Sequence, residues 1–471
     1  MTSMTQVPSV NLPLSSAEFH ASFSLSALDI YNTRQAIAGG KTSLDDVWQQ
    51  AGAIAKSTAC QHVYMPGEAP DAKPLQLQAA ASGALHPSLA GIPVSVKDLF
   101  DVAGQTTRAG STVLAHRLPA ATDCPAVARL RAAGAVIAGR TNMVEFAFSG
   151  VGINPHYGTP VNPADKLVQR IPGGSSSGAA VSVATGAALA ALGSDTGGSL
   201  RIPAALCGIV GFKSTARLVP TRGVVPLSTS LDTVGALTRS VRDAITLHEV
   251  LASRTVQLSG KPLSSLRLAL CRTLMLDALD SSVARAFDNA LRSLRQAGAQ
   301  IEELSLPEVH DLTAINASGG LSAAESYAWH RALIDQHQAG YDPRVAIRIL
   351  RGASMSAADY IDLLAARQEW TGRMQARLKE FDAVLAPTVP LVAPPIASVL
   401  HDDAEFFRVN SLLLRNTSVV NMLDGCGISI PCHAPGQLPV GLMLWHAALH
   451  DDAVLGAALG AEKAVAAALR L

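Results

Sequence analysis

The sequence predicts an α/β protein: a single large domain whose core is a mixed β-sheet covered by helices on both faces. Three observations predict it. Short apolar runs alternate with helical segments through the first half of the chain, the pattern of a sheet with helical connections. Strand-like runs return near the end, so the sheet draws on both ends of the chain. The 471 residues, 48% hydrophobic and only 16% charged, suffice to bury one large core, and no long linker or internal repeat divides them.

Taken in order, residues 1–80 read as a helical region packing on the core and 81–471 as the core itself, one large domain together. Ser43-Leu44-Asp45-Asp46 is a polar, acidic helix start, followed by Val47, Ala51 and Ile54 on one face. Ile92–Val96 reads as a strand and Pro125–Ala133 as a helix, with Pro125 in its first turn and Gly134 ending it. Strand Ala135–Ala138, helix Ala179–Thr185 and strands Ala187–Leu192 and Gly208–Phe212 follow. Residues 240–375 are predicted mostly helical apart from a strand at Leu266–Leu270. Arg285–Ala297 and Ala357–Leu378 show helical periodicity. Gly427–Ile430 and Pro439–Leu444 read as strands joined by the turn-rich Ala434–Gln437, and Asp451–Leu471 as a closing amphipathic helix.

Charge narrows the partners. Lysine plus arginine is 37 and aspartate plus glutamate is 37, so there is no basic footprint for nucleic acid and no charged tail. A small, weakly charged molecule is the expected partner. The six cysteines contain no C-x-x-C pair and read as buried, reduced thiols of a cytoplasmic protein. His156, His433 and His446 show no metal-ligand spacing, and neither metal nor cofactor is expected. Met1–His20 lacks the positive start and apolar stretch of a secretory signal. Two charge-free stretches, 171–194 and 383–400, are dense in glycine and serine or in proline, unsuited to a lipid-facing helix.

The chemistry concentrates in two glycine-serine clusters, Gly173–Gly178 and Gly193–Ser199, with Lys97 upstream in Ile92-Pro93-Val94-Ser95-Val96-Lys97-Asp98. The first cluster lacks the lysine of a phosphate-binding loop and the spacing of a dinucleotide fingerprint. It does match G-x-S-x-G, which would make Ser176 a nucleophile with an aspartate and a histidine at later strand ends, but nothing local singles those out. In the second, Asp195-Thr196-Gly197-Gly198-Ser199 follows an apolar strand. A backbone nearly free of side chains turns its N–H groups toward one point beside the serine hydroxyl, or simply makes a tight strand-to-helix turn. A serine nucleophile needs a base, and an amine serves in serine–lysine variants of the triad.

Taken together these motifs resemble the amidase signature family over about residues 25–465. Its G-G-S-S-[GS]-G motif stands at Gly173–Gly178. Its G-[ST]-D-x-[GA]-G-S-x-R-x-P motif stands at Gly193–Pro203. Gly91–Asp98, Gly158–Pro163, Asp382–Thr388 and Leu438–Leu442 agree as well. The resemblance implies the amidase signature fold, with Ser199 as nucleophile, Ser175 as bridging serine after a cis peptide bond, and Lys97 as base. The N–H groups of Thr196, Gly197, Gly198 and Ser199 become oxyanion-hole candidates, and Ser176, Asp195 and Arg201 supporting residues. The apolar approach to Lys97 (Ile92, Val94, Val96) predicts burial and a lowered amine pKa.

The implied activity is metal-free hydrolysis of a carboxamide or related C–N bond through an acyl-enzyme. Alternatives within the family are the amidase subunit of a tRNA-dependent amidotransferase and a ureido or carbamate hydrolase; outside it, a non-catalytic binding protein that kept the fold. Leu99-Phe100 stands where the family often carries asparagine after Lys-Asp, Ser177 where many members carry glycine, and Met443 where many carry glutamine. None of these removes a catalytic group. Residues 306–351 match no motif, so 240–375 is read as the variable region walling the substrate pocket. Phe146, Tyr157 and Gly174 are substrate-binding candidates nearer the triad, and a homodimer is an arrangement common among such proteins.

Overall fold

The computed structural model describes residues 29–70 and 88–469. The remainder of the N-terminal helical reading, with the stretch examined for a secretory signal, lies outside the described residues. So do the last two residues of the closing helix.

Ten strands form one mixed sheet. They are β1 Pro93–Lys97, β2 Val136–Thr141, β3 Ala190–Asp195, β4 Val210–Lys213, β5 Thr233–Thr238, β6 Arg267–Cys271, β7 Gln300–Leu304, β8 Ala383–Pro387, β9 Cys426–Pro431 and β10 Gly441–His446. Their order is β2-β1-β3-β5-β4-β9-β10-β8-β6-β7. β1 pairs in parallel with β2 and β3, β6 in parallel with β7 and β8, and the strands between are antiparallel. The chain is a single α/β domain, as predicted. β1, β3, β5 and β8 are buried along their whole length, which a sheet covered on both faces requires.

The helices obey their local signals. Ser43 caps the helix Leu44–Ala55 in a capping box with Asp46. That helix sends Trp48, fully buried, to donate its indole N–H to the Gly91 carbonyl at 2.8 Å. Pro125 occupies the first turn of the helix Pro125–Ala132, and Gly134 follows at φ 88°. The helix Ala357–Leu378 begins at the Ser356/Asp359 capping box.

Three strands depart from expectation. β7 lies within the segment read as helical; its Gln-Ile-Glu-Glu-Leu is a half-exposed edge strand with no buried run to betray it. β8 hides in the proline-bearing stretch 383–400, and β5, with Gly235 at its centre, carries no continuous apolar signal. All six cysteines are buried and unpaired. Among the described residues no helix is long and apolar enough to cross a membrane, and no group of histidines, cysteines and carboxylates could hold a metal ion.

Candidate active site

The parallel neighbours β1 and β3 end on the same side of the sheet, where α/β sites form. Val96 lies opposite Leu192 in this pair, so the next steps bring Lys97 beside the Gly193-Ser194 end of β3. Lys97 is completely buried, and its Nζ donates to Ser175 Oγ and to Ser194 Oγ, each at 2.8 Å. Burial pushes this amine down to about 7, against the pull of the Asp232 and Asp195 carboxylates. A group poised there exchanges a proton readily near neutrality.

Ser175 precedes the helix Ser177–Thr185, and the Gly174–Ser175 peptide is cis, as the resemblance implied. Gly174 is required by close approach. A Cβ on it would meet Gly152 N and Val144 Cγ2, both at 2.8 Å, while its own N–H donates to the Gly150 carbonyl at 2.7 Å. Gly174 is therefore part of the frame that seats Ser175. Ser176 is buried and donates to the Ser194 carbonyl at 3.4 Å, bracing the end of β3.

Ser199 ends the loop that leaves β3 and is 4% exposed. The structure brings Lys97 and Ser175 together and sets Ser199 on the adjoining loop. Among the described residues Ser199 Oγ is bonded to neither of them. The loop is held from behind through its carbonyls. Thr233 Oγ1 donates to Asp195 O at 2.6 Å, Thr417 Oγ1 to Gly197 O at 2.6 Å, and Ile202 N to Gly198 O at 2.7 Å. In a trans peptide the N–H points opposite its C=O. The N–H groups of Thr196, Gly198 and Ser199 are thereby turned away from these anchors. Among the described residues none of the four N–H groups from Thr196 to Ser199 donates to a protein acceptor. Fixed, unoccupied donors beside a serine are what a developing oxyanion needs.

Leu200 fixes the far end of the loop. A Cβ at Gly193 would meet Leu200 Cδ2 at 2.7 Å, one at Gly235 would meet Leu200 Cδ1 at 2.7 Å, and one at Gly211 would meet Leu200 O at 2.6 Å. These glycines come from β3, β5 and β4, so three adjacent strands leave a depression that receives the residue after Ser199.

Asp195 and Arg201 form a buried ion pair with contacts of 2.9 and 3.0 Å, and Asn421 bridges both partners. Burial alone would raise the Asp195 carboxyl, but the Arg201 guanidinium outweighs it and holds the group at about 2. Met443, at the position the sequence marked as unusual, lies 3.5 Å from Arg201 Nη1 through its sulfur.

Among the described residues neither of the other two pocket candidates makes a hydrogen bond or ring contact to Lys97, Ser175 or Ser199. Phe146 is 1% exposed, adopts φ 49°, and packs against Trp329, His330 and Tyr341 with ring centroids 6.1, 4.3 and 5.3 Å away. It braces a wall and presents no free face. Tyr157 is half-buried, its hydroxyl donating to the Ser111 carbonyl at 3.3 Å. Beside it the buried Glu145 accepts from Ser111 Oγ at 2.6 Å and from the Asp342 N–H at 2.7 Å, tying the core to the helical segment. A cavity of about 480 Å³ lies between Asp101, Arg117, Val225 and Trp329, and none of Lys97, Ser175 and Ser199 lines it. Sequence reasoning missed Ser194 as the second partner of Lys97, and missed Thr417 and Asn421. Ser194 was visible inside a quoted motif, whereas Thr417 and Asn421 lie on a helix more than two hundred residues downstream with no local mark.

Comparison with known proteins identifies the family. A family model described as Amidase matches residues 43–455. A 2-amino-5-chloromuconic acid deaminase from Comamonas testosteroni is 38% identical over 388 residues, covering 79% of this chain and 81% of its own length. A glutamyl-tRNA(Gln) amidotransferase subunit from Symbiobacterium thermophilum is 33% identical over 411 residues, 80% of this chain and 83% of its own. Among solved structures, one described as an amidase superposes with a TM-score of 0.83 at 32% identity, covering 92% of this chain and 99% of the other. The chain belongs to the amidase signature family and is an amidase-type enzyme.

Proposed function

We propose that the protein hydrolyses a carboxamide or related C–N bond of a small molecule through an acyl-enzyme on Ser199. One observation carries the reading: a buried amine lies 2.8 Å from Ser175 Oγ beside a loop that presents Ser199 and unoccupied N–H donors. Neutral Lys97 takes the Ser175 proton as Ser175 takes that of Ser199, and Ser199 Oγ attacks the carbonyl carbon. The N–H groups of Thr196–Ser199 receive the oxyanion. When the C–N bond breaks, the proton returns along the same path to the leaving nitrogen, and water then releases the acyl group.

The 38%-identical relative, a 2-amino-5-chloromuconic acid deaminase, supports a small acid as substrate and ammonia as the group released. Buried, unpaired thiols support a reducing, cytoplasmic setting. The segment 240–375 supplies the variable pocket walls in this reading. Ser199→Ala is expected to abolish both ammonia release from an amide panel and labelling by a fluorophosphonate; wild-type labelling of that variant would refute the assignment. The similarity to the glutamyl-tRNA(Gln) amidotransferase favours glutamine as the second substrate to try, and ammonia from glutamine with the purified chain alone decides it.

A further inference from the structure

We propose that Asp232 is a positioning residue for this hydrolysis, an inference that rests on the Ser199 assignment. Its carboxylate pins the first residue of the donor loop and carries a charge that acts on Lys97. The register of the sheet puts it there. β5 runs antiparallel to β3 with Thr233 opposite Asp195, so one further step sets Asp232 against Thr196.

Asp232 Oδ1 accepts the Thr196 hydroxyl at 2.5 Å and the Ser228 N–H at 3.1 Å, and Oδ2 accepts the Leu227 N–H at 3.0 Å. Two of these donors belong to the backbone preceding β5, so the carboxylate is anchored independently of the loop it holds. Ser228 is shared further. Its hydroxyl donates at 2.6 Å to Glu325 of the helix Gly320–His337, and Glu325 also accepts from Ser230 N at 2.9 Å and Tyr360 Oη at 2.8 Å. A continuous chain of hydrogen bonds therefore runs from the variable helical segment to the residue whose N–H opens the donor loop. A small displacement of such a loop costs much in rate, because its donors must meet the oxyanion at fixed distance.

Three carboxylates stand close to Lys97 along the chain or through its charge environment, and two of them are paired. Asp195, at the end of β3, is neutralised by Arg201, with Lys213 nearby. Asp98, next along β1, is neutralised by Arg140 at 2.9 Å. Asp232 forms no ion pair among the described residues, and the Glu325 carboxylate raises it further. Burial raises the Asp232 carboxyl to about 6 and lowers the Lys97 amine to about 7, and the Asp232 carboxylate acts on that amine in the opposite direction to burial. An anion there favours the ammonium form of Lys97 and opposes the effect of burial. Removing the charge lowers the Lys97 pKa, so the neutral, competent amine persists to lower pH.

The test is the rate at which a fluorophosphonate labels Ser199 between about pH 5 and pH 9, in wild type, Asp232→Asn, Thr196→Val and Ser199→Ala. Thr196→Val loses only the anchor and is expected to label about tenfold more slowly or worse, with the acid limb unmoved. Asp232→Asn is expected to slow labelling and also move the acid limb to lower pH by about half a unit or more. Thermal melts identify folded variants; should Asp232→Asn fail to fold, Thr196→Val still decides the anchoring claim. A folded Asp232→Asn whose limb stays in place, or a Thr196→Val labelled within about twofold of wild type, overturns the proposal. Labelling of Ser199→Ala at the wild-type rate sinks the nucleophile assignment instead, so the two failures are distinct.

Discussion

Thr417 donates its hydroxyl to the Gly197 carbonyl at 2.6 Å, joining residues 220 positions apart. The helix Asp403–Met422 thus reaches into the loop after β3 and fixes the peptide whose N–H belongs to Gly198. Thr417→Val keeps the shape and removes the donor, leaving the carbonyl unpartnered at a cost of about 1–3 kcal/mol. Turnover or fluorophosphonate labelling should fall about tenfold with the melting temperature only modestly lowered. Unchanged labelling would mean the loop holds its form without this bond.

If Lys97 is the base proposed above, it should govern the pH response. Its amine is neutral above about 7, so activity should rise through that pH with a single proton lost. Stability follows from the same shift. In the unfolded chain the amine titrates near its ordinary 10.5, so between about 7 and 10.5 the unfolded state binds the extra proton and stability climbs with pH. Lys97→Met should be inactive. Its stability relative to wild type should be most favourable below pH 7 and least at pH 10, a trend that parallel urea titrations at the two pH values would measure. The opposite trend would show that Lys97 is not held neutral by the fold.

Arg201→Met tests the buried ion pair. Without the guanidinium, Asp195 is an unpaired charge in the core, which costs about 3–5 kcal/mol when one partner of such a pair is removed. In wild type the pair also sets acid sensitivity. Because Asp195 is held at about 2, below its ordinary 3.8, its contribution is present above that ordinary value and disappears as pH falls through about 2. Denaturation midpoints of the variant that match wild type would exclude a structural role.

Gly235→Ala should disturb Ser199 through its neighbour Leu200. The added methyl would meet the Phe212 carbonyl at 2.5 Å and Leu200 Cδ1 at 2.7 Å, and the backbone contact cannot yield by a rotamer change. Overpacking of this kind costs about 1–3 kcal/mol. Labelling should drop in a protein that still folds; a variant with full labelling and stability would show that Leu200 has room to move.

The fold was legible where strands are buried on both faces and carry apolar runs, as at β1, β3, β9 and β10. It was illegible at β7, whose Glu302 and Glu303 face solvent, and at β8, whose apolar residues merge with a proline-rich continuation. In the site, Ser175 and Ser199 stand in short glycine-rich motifs because the backbone there takes an unusual path, cis at Gly174–Ser175 and φ 137° at Gly198, while Lys97 is marked by the apolar strand it ends. Thr417, Asn421 and Asp232 act through ordinary side chains on ordinary elements, and only the folded chain reveals what they touch.

The sheet order has a consequence for how the molecule is made. The hairpin β9–β10, the last pair of strands along the sequence, lies at the middle of the sheet, between β4 and β8. Until residues 426–446 leave the ribosome, the half carrying Lys97 and the half carrying β6, β7 and β8 have no shared seam in the sheet. A chain that has emerged only as far as β8 therefore carries Lys97, Ser175 and Ser199 before its two half-sheets are joined.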